Sequence, residues 1–193
     1  LRTVIVSNGY VNREPLEEFI SFTDAFNIDL KAFNNTFYRR LTGADIEPVK
    51  EALKLIAGSG RHLEITTLII PGHNDSEEEM AEETEWIAKE LGCDVPFHLS
   101  RYFPMYKRED PATNSQKLIR LSEIASKNLR YVYVGNMVSE TGQNTICPQC
   151  GKTVTRRSGY NIKIMNLDQK GNCKNCGKQI YKNFTSFPHS SRN

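Results

Sequence analysis

One pattern recurs along most of the chain: a short β-branched run, then a polar or glycine-containing tip, then a helical stretch. The runs end before Ser7-Asn8-Gly9, Asp29-Leu30-Lys31, Pro71-Gly72-His73-Asn74-Asp75 and His98. Strands that alternate with helices form parallel sheets, and the loops after parallel strands converge at one edge. The pattern therefore predicts an α/β, barrel-like enzyme with its chemistry at the carboxyl ends of its strands.

The pattern also gives approximate element bounds. Strands are predicted at residues 3–7, 25–30, 62–70, 95–99 and 129–134, and helices at residues 15–22, 36–41, 46–57, 77–91 and 115–127. The start of the fourth helix is the clearest, because a capping segment, residues 74–76, precedes three glutamates. Oxygen-bearing caps accept from free backbone amides, and acidic residues complement the positive end of the helix dipole.

Length and composition bound the class of protein. The 193 residues, 38% of them hydrophobic, are enough to bury a core. No apolar run approaches the ~20 residues that span a bilayer, and the N-terminus lacks a signal-type segment, so we expect a soluble, cytoplasmic protein without membrane contact. The opening Leu1-Arg2-Thr3 runs straight into a strand without a methionine. We therefore expect the chain to be the latter part of a longer protein.

Charge is distributed unevenly. Residues 145–193 hold nine Lys or Arg against Asp168 alone, a formal charge of +8, which leaves residues 1–144 at −6. Such a split predicts a domain boundary and suggests an acidic partner for the basic segment. Cations that neutralise a metal–thiolate site explain it equally well. We predict a barrel-like domain at residues 1–140, a small cysteine-containing domain at 141–184 and a flexible tail at 185–193.

Four of the five cysteines form the pattern C-x₂-C-x₂₂-C-x₂-C: Cys147, Cys150, Cys173 and Cys176. Two residues between thiolates let one turn direct both sulfurs at one metal, and the glycine after each pair lets the backbone fold around it. The spacing predicts a Cys₄ zinc-ribbon-like domain with hairpin strands at residues 152–156 and 160–165. Iron is the alternative metal. The fifth cysteine, Cys93, is expected to be a small buried hydrophobe.

Four segments, in this order, resemble the second half of a radical S-adenosylmethionine (SAM) enzyme: residues 4–10, 27–33, 67–75 and 96–101. The likeness is greatest to relatives of the glycyl-radical-enzyme activases, such as pyruvate formate-lyase activating enzyme, and to the AmmeMemoRadiSam group. That group also resembles residues 144–151, around the first cysteine pair, and the match extends over about residues 1–181.

The resemblance implies half of a TIM-like partial barrel. It also implies a four-iron four-sulfur (4Fe-4S) cluster that binds SAM, an electron donor, reductive cleavage of SAM to a 5′-deoxyadenosyl radical, and a protein as the possible substrate. The cluster is held by a C-x-x-x-C-x-x-C loop, and no three cysteines of this chain have that spacing. We therefore expect the cluster ligands upstream of Leu1, no catalytic residue in this fragment, and no radical activity from the fragment alone.

The resemblance also implies which residues line a SAM pocket. Asp29 and Lys31 correspond to residues that flank the methionine end, where a carboxylate and cationic groups of SAM can be paired. His98 corresponds to a histidine that reaches the SAM carboxylate or ribose from a strand tip. From the residues alone, an exposed Asp–Lys pair and a structural histidine remain the alternatives.

Two turns are assigned by the same resemblance. Gly72 and Asn74 correspond to the adenine-side turn, where glycine allows close approach of the backbone to a flat base. Ser7 and Asn8 correspond to a turn in which the activases often place an acid before the hydroxyl residue. Here that position is Val6, which counts against the ion site of the activases.

Two other functions compete with the radical enzyme. The basic ribbon could bind nucleic acid or an acidic protein, but few aromatic residues interleave with its cations, so nucleic acid is disfavoured. Alternatively, Lys31 could form a Schiff base in an aldolase-like barrel. That chemistry needs a desolvated lysine in a closed barrel, and this chain has too few strands to close one.

Overall fold

The computed structural model describes residues 1–137, 142–159 and 161–182. The chain divides into two compact units, Leu1–Met137 and Val138–Asn193. The predicted tail, residues 185–193, lies outside the described residues, as does Tyr160 of the predicted ribbon hairpin.

The first unit contains one sheet of five parallel strands, ordered along the sheet as they are along the chain. The strands are β1 (Val4–Ser7), β2 (Ala25–Asp29), β3 (His62–Ile69), β4 (Phe97–Arg101) and β5 (Val132–Gly135). All four neighbouring pairs are parallel. The predicted α/β fold, with a parallel sheet and flanking helices, is confirmed.

The helices are α1 (Arg13–Phe22), α2 (Asn35–Phe37), α3 (Glu47–Gly58), α4 (Glu77–Ile87) and α5 (Ser115–Ala125). Helices α2 and α4 continue as π-helical turns, at Tyr38–Thr42 and Ala88–Gly92. The predicted start of the fourth helix is confirmed, since Ser76 Oγ accepts from the amide of Glu79 at 3.0 Å. The sequence predicted ordinary α-helix up to Leu91, whereas the last turn is wider.

The core lies between the helices and one face of the sheet. In β3, side chains alternate between buried and partly exposed along the strand, as expected when only one face is packed. Fully buried strand residues include Phe26, Ile28, Ile65, Phe97 and Leu99, and fully buried helical residues include Leu53, Ile56, Met80, Ile87 and Leu118. Within the described residues, no helix combines the length and hydropathy that a membrane span requires.

The second unit contains a small antiparallel sheet in the order β6-β7-β8. Its strands are β6 (Thr145–Ile146), β7 (Thr153–Ser158) and β8 (Asn161–Ile164). The hairpin is longer than predicted at its turn, because Ser158 pairs with Asn161 across Gly159. Among its described residues, the buried hydrophobic cluster consists of Cys147, Val154, Leu167 and Cys173, so two of the four metal-site cysteines belong to the core of this unit.

Candidate functional site

The face of the parallel sheet opposite the core carries polar side chains from four strands. Strand register aligns Asp29 with Thr66 and Thr66 with His98, so these three side chains point to the same side. We call this side the polar face; besides these three residues it includes Asn27, Glu64, Ser100 and Tyr133. Asp29 and His98 are two strand spacings apart, about 10 Å.

Asp29 and Lys31 form an ion pair at the end of β2. The Lys31 ammonium lies 2.5 Å from Asp29 Oδ2, and both side chains are about one-third exposed, at 35% and 31%. Each therefore keeps access to solvent from the polar face. A paired carboxylate and ammonium that are both reachable can bind a zwitterionic ligand, since each can exchange its partner for the opposite charge of the ligand.

The backbone of the loop after β2 is held by side chains from other elements. The Lys31 amide donates to Tyr38 Oη at 3.0 Å, and burial raises the pKa of this phenol to about 12, so it stays neutral. Glu79 accepts from the Phe33 amide at 2.7 Å and from Asn34 Nδ2 at 2.8 Å. The position of Lys31 is thus fixed by the loop rather than by its own side chain.

Asn74 links this loop to the one after β3. It is 2% exposed. Its Oδ1 accepts from the Ile70 amide at 2.7 Å, and its Nδ2 donates to the carbonyls of Lys31 at 2.8 Å and Leu68 at 2.9 Å. Both polar atoms of the Asn74 side chain are thus hydrogen-bonded to backbone groups, and in the structure Asn74 joins two strand ends. Its assignment as a ligand contact stays a prediction.

The turn after β1 is shaped by its own side chains. Ser7 Oγ accepts from the Gly9 amide at 3.2 Å, and Asn8 Oδ1 accepts from the Tyr10 amide at 3.0 Å. Gly9 has φ +70°, and a Cβ atom there would lie 2.7 Å from Ile28 Cγ2, so only glycine fits. By register, Ser7 aligns with Ile28 on the core side of the sheet, whereas Asn8 is exposed.

The adenine-side turn predicted at Gly72 has the expected backbone. Gly72 has φ +75°, and nothing lies within 4 Å of the position where a Cβ atom would be. Its amide donates to Asp75 Oδ1 at 2.8 Å. The space beside Gly72 is compatible with a flat group, and the assignment stays a prediction.

His98 lies inside a strand rather than after one. The sequence predicted a strand that ends just before or after His98, but β4 begins at Phe97. Pro96 has no amide to donate, and Phe97 is the first residue to donate to the next strand, to the Tyr131 carbonyl at 2.9 Å. His98 is nevertheless level with Asp29, because β4 is displaced along the sheet relative to β2.

Sequence reasoning missed Glu64, which binds two histidines on the polar face. Its carboxylate accepts from His62 Nε2 at 2.9 Å and from His98 Nε2 at 2.8 Å. Burial acts to raise the pKa of Glu64, but the two histidine hydrogen bonds outweigh it and hold the pKa at about 2. The His98 ring also stacks on Tyr133, with ring centres 5.2 Å apart. Alternating polar residues along β3 were the signal available in the sequence.

The four cysteines of the second unit meet as the spacing predicted. Their sulfur atoms all lie within 4.8 Å of one another. The Cys147–Cys176 and Cys150–Cys173 sulfur pairs are 3.5 Å and 3.7 Å apart. Four thiolates around one metal at about 2.3 Å would be about 3.8 Å apart in a tetrahedron. The donor set therefore fits one tetrahedral metal ion.

The backbone around the two cysteine pairs follows one pattern twice. At the first pair, the Cys147 carbonyl accepts from the Gly151 amide, and the Cys147 amide donates to the Lys152 carbonyl. At the second pair, the Cys173 carbonyl accepts from the Gly177 amide, and the Cys173 amide donates to the Lys178 carbonyl. Gly151 and Gly177 both have positive φ, at +70° and +76°. A hydrogen bond from the Lys152 amide lowers the pKa of Cys150 to about 6. Despite a hydrogen bond from the Lys178 amide, burial and the other three sulfurs raise the pKa of Cys176 to about 12, so Cys150 is the cysteine that is readied as a thiolate.

Part of the first unit matches a known protein family. Residues 1–84 match the family model of the Radical SAM superfamily. These residues belong to the radical SAM superfamily. The resemblance is thereby confirmed at the level of the superfamily, with three of the four segments, residues 4–10, 27–33 and 67–75, inside the match. The AmmeMemoRadiSam group stays a prediction.

Other similar proteins align with a larger share of the chain. An uncharacterized protein of Methanocaldococcus jannaschii is 39% identical over 180 residues, 92% of this chain and 53% of that protein, so the chain spans about half its length. A crystallised domain of pyruvate-formate lyase-activating enzyme from Bacteroides vulgatus is 16% identical with a TM-score of 0.61, covering 70% of this chain and 82% of that one. Streptococcus suis SuiB bound to S-adenosylmethionine is 15% identical with a TM-score of 0.54, covering 66% and 30%. At identities this low, each of the two likenesses shows only that the solved structure and this chain share a fold.

Proposed function

We propose that this chain is the C-terminal half of a radical SAM enzyme related to the pyruvate formate-lyase activating enzymes, and that its polar face binds SAM. The observation that carries the proposal is the match of residues 1–84 to the superfamily, in a fold where Asp29 and His98 lie level on one face and Lys31 pairs with Asp29. The SAM-bound SuiB structure has the same fold and supports SAM as the ligand.

In this proposal, the residues of the chain bind and orient SAM. Lys31 pairs with the carboxylate of SAM, and Asp29 accepts from its ammonium, so the resting ion pair is exchanged for two new ones. Asn74 and Tyr38 keep the loop of Lys31 in place. A 4Fe-4S cluster, held by cysteines upstream of Leu1, would supply the electron for reductive cleavage of SAM to a 5′-deoxyadenosyl radical. The proposed substrate is a protein.

The exposure of Lys31 argues against the Schiff-base alternative. A lysine nucleophile needs a neutral amine, which desolvation provides. Lys31 is one-third exposed and ion-paired with Asp29, so its amine is not desolvated.

The test uses the protein extended upstream of Leu1 and reconstituted without oxygen. We expect Lys31→Ala to weaken SAM binding by about 1–3 kcal/mol, because a charged hydrogen bond is lost. Calorimetry measures the affinity. Lys54→Ala is the matched control, since Lys54 lies on α3 and pairs with Glu51. If both variants and the parent bind SAM with equal affinity, the assignment of Lys31 to the SAM pocket is wrong.

A second experiment, also without oxygen, tests the fragment by itself. Residues 1–193 alone should release no 5′-deoxyadenosine after incubation with iron, sulfide, reductant and SAM, because three thiolates with suitable spacing are needed to hold the cluster. Production of 5′-deoxyadenosine by the fragment would contradict this expectation.

For the second unit we propose that Cys147, Cys150, Cys173 and Cys176 bind one structural zinc ion. All four positions are filled by protein thiolates, so none is open for a catalytic water. Iron in the same site would instead point to electron transfer.

A further inference from the structure

Glu64 and His98 form a contact that no sequence motif assigned. Glu64 lies two residues before Thr66 on β3, and Thr66 pairs with His98 on β4. The carboxylate therefore reaches the histidine diagonally across neighbouring strands, on one face. Both side chains are about one-third exposed, at 33% and 30%, so the pair borders the open side of the polar face.

The chemistry of this contact fixes where the ring proton lies. An ionised carboxylate can only accept hydrogen bonds, so a neutral His98 that bonds Glu64 through Nε2 must have its proton on Nε2. The other nitrogen, Nδ1, then has a lone pair. Within the part of the chain that the structure describes, no residue donates to or accepts from His98 Nδ1.

We propose that Glu64 is a positioning residue: it holds His98 as the Nε2–H tautomer and leaves Nδ1 to accept a hydrogen bond from the ligand. This rests on the proposed function, in which the ligand is SAM, and it refines the role of His98. A lone pair accepts from a hydroxyl or an ammonium group, whereas a carboxylate would need a ring proton on Nδ1. Neutral His98 therefore binds a donor group of SAM, a ribose hydroxyl or the ammonium, and does not bind the carboxylate.

The tautomer can be measured without SAM. Long-range ¹H–¹⁵N correlation spectra distinguish Nε2–H from Nδ1–H imidazole, and the chain has only four histidines. The spectra are recorded on residues 1–193 at a pH where His98 is neutral, and its signals are assigned by their loss in His98→Gln. We expect a single Nε2–H form in the parent and a mixture of both tautomers in Glu64→Val.

Two variants separate positioning from general disturbance. Glu64→Gln keeps an oxygen that can accept from Nε2, so most of the Nε2–H form should remain. His62→Gln is the matched control, because it changes the other imidazole bound to the same carboxylate and leaves the His98 contact intact. A mixture of tautomers in the parent, or an unchanged spectrum in Glu64→Val, would overturn the proposal.

Affinity measurements in the upstream-extended protein test the group that His98 binds. Glu64→Val should weaken binding about 5- to 20-fold, the effect of losing one hydrogen bond to the ligand, and by the same factor for SAM and for decarboxylated SAM, which keeps the ribose and an ammonium. A loss confined to SAM would mean that His98 binds the carboxylate and would refute this assignment. If the parent binds neither compound, the proposed function fails, and the tautomer measurement still decides the positioning role.

Discussion

At the residue scale, the most unusual group is Glu83, a carboxyl buried in the core. It is 1% exposed. Thr67 Oγ1 lies 2.7 Å from Glu83 Oε1 and 2.9 Å from the Leu30 carbonyl oxygen. A hydroxyl has one hydrogen to donate, so both contacts are hydrogen bonds only when Glu83 is protonated and donates to Thr67. Burial raises the pKa of Glu83 to about 8, in agreement with this geometry.

The raised pKa makes stability depend on pH. Between pH 4.5 and about 8 the folded protein keeps a proton on Glu83 that the unfolded chain has lost. The contribution of Glu83 to stability is therefore complete below pH 4.5 and declines as pH rises towards 8. Glu83→Gln keeps a donor for Thr67 and has no carboxyl group to ionise, so its stability does not decline in this way. The difference in unfolding free energy between Glu83→Gln and the parent should therefore grow with pH.

Urea unfolding of Glu83→Gln and the parent at pH 5 and pH 8 measures this effect. The advantage at pH 8 should exceed that at pH 5 by a few kcal/mol, since each unit of pKa shift corresponds to about 1.4 kcal/mol. Glu82→Gln is the control, because Glu82 is its exposed neighbour on α4 and should change stability by less than about 0.5 kcal/mol. A pH-independent difference for Glu83→Gln would show that Glu83 is ionised in the fold.

At the scale of elements, the ends of β2 and β3 are joined by the side chain of Asn74. Removal of its amide in Asn74→Ala leaves the Ile70 amide and the Lys31 and Leu68 carbonyls without this partner. We expect a loss of about 2–4 kcal/mol in the free energy of unfolding, because each unsatisfied buried polar group costs about 1–3 kcal/mol. Chemical denaturation measures the loss.

Asn8→Ala provides the comparison for this loss. Asn8 is exposed and accepts one local bond, from the Tyr10 amide. Asn8→Ala should lower the free energy of unfolding by less than about 1 kcal/mol. Similar losses in the two variants would mean that Asn74 does not join the strand ends in solution.

At the scale of the whole molecule, the two units are stabilised differently. The parallel sheet buries a continuous apolar core, whereas the described part of the second unit has a hydrophobic cluster of four buried residues, two of them metal-site cysteines. A segment of about forty residues rarely folds without a metal or disulfide. We therefore expect the second unit to depend on its metal and the first to remain folded without it.

Metal analysis and Cys147→Ser test this difference. One zinc per chain is expected from the four-thiolate site. Cys147→Ser should lose the zinc and the dispersed amide signals of the second unit, while those of the first unit remain. Cys93→Ser is the control, since Cys93 lies in the first unit and should leave the zinc content unchanged. Native protein that contains iron and absorbs in the sulfide-to-iron region would overturn the zinc assignment.

The sequence by itself determined the parts of this protein that depend on local pattern. Alternation of β-branched runs with helical stretches predicted the parallel sheet, and Ser76 before three glutamates predicted the start of α4. The cysteine spacing predicted which four sulfurs meet, because two residues between cysteines constrain both to one turn. These features follow from propensities and distances within a few residues along the chain.

Only the tertiary structure decided how residues from different strands meet. The offset between β2 and β4 places His98 level with Asp29 and beside Glu64, and strand offset is not encoded in either strand alone. In the same way, Asn74 fits a plain turn by sequence, and only the fold brings the Lys31 carbonyl within its reach. Hydrogen bonds between residues more than thirty positions apart depend on packing of the whole sheet, which is why local patterns did not reveal them.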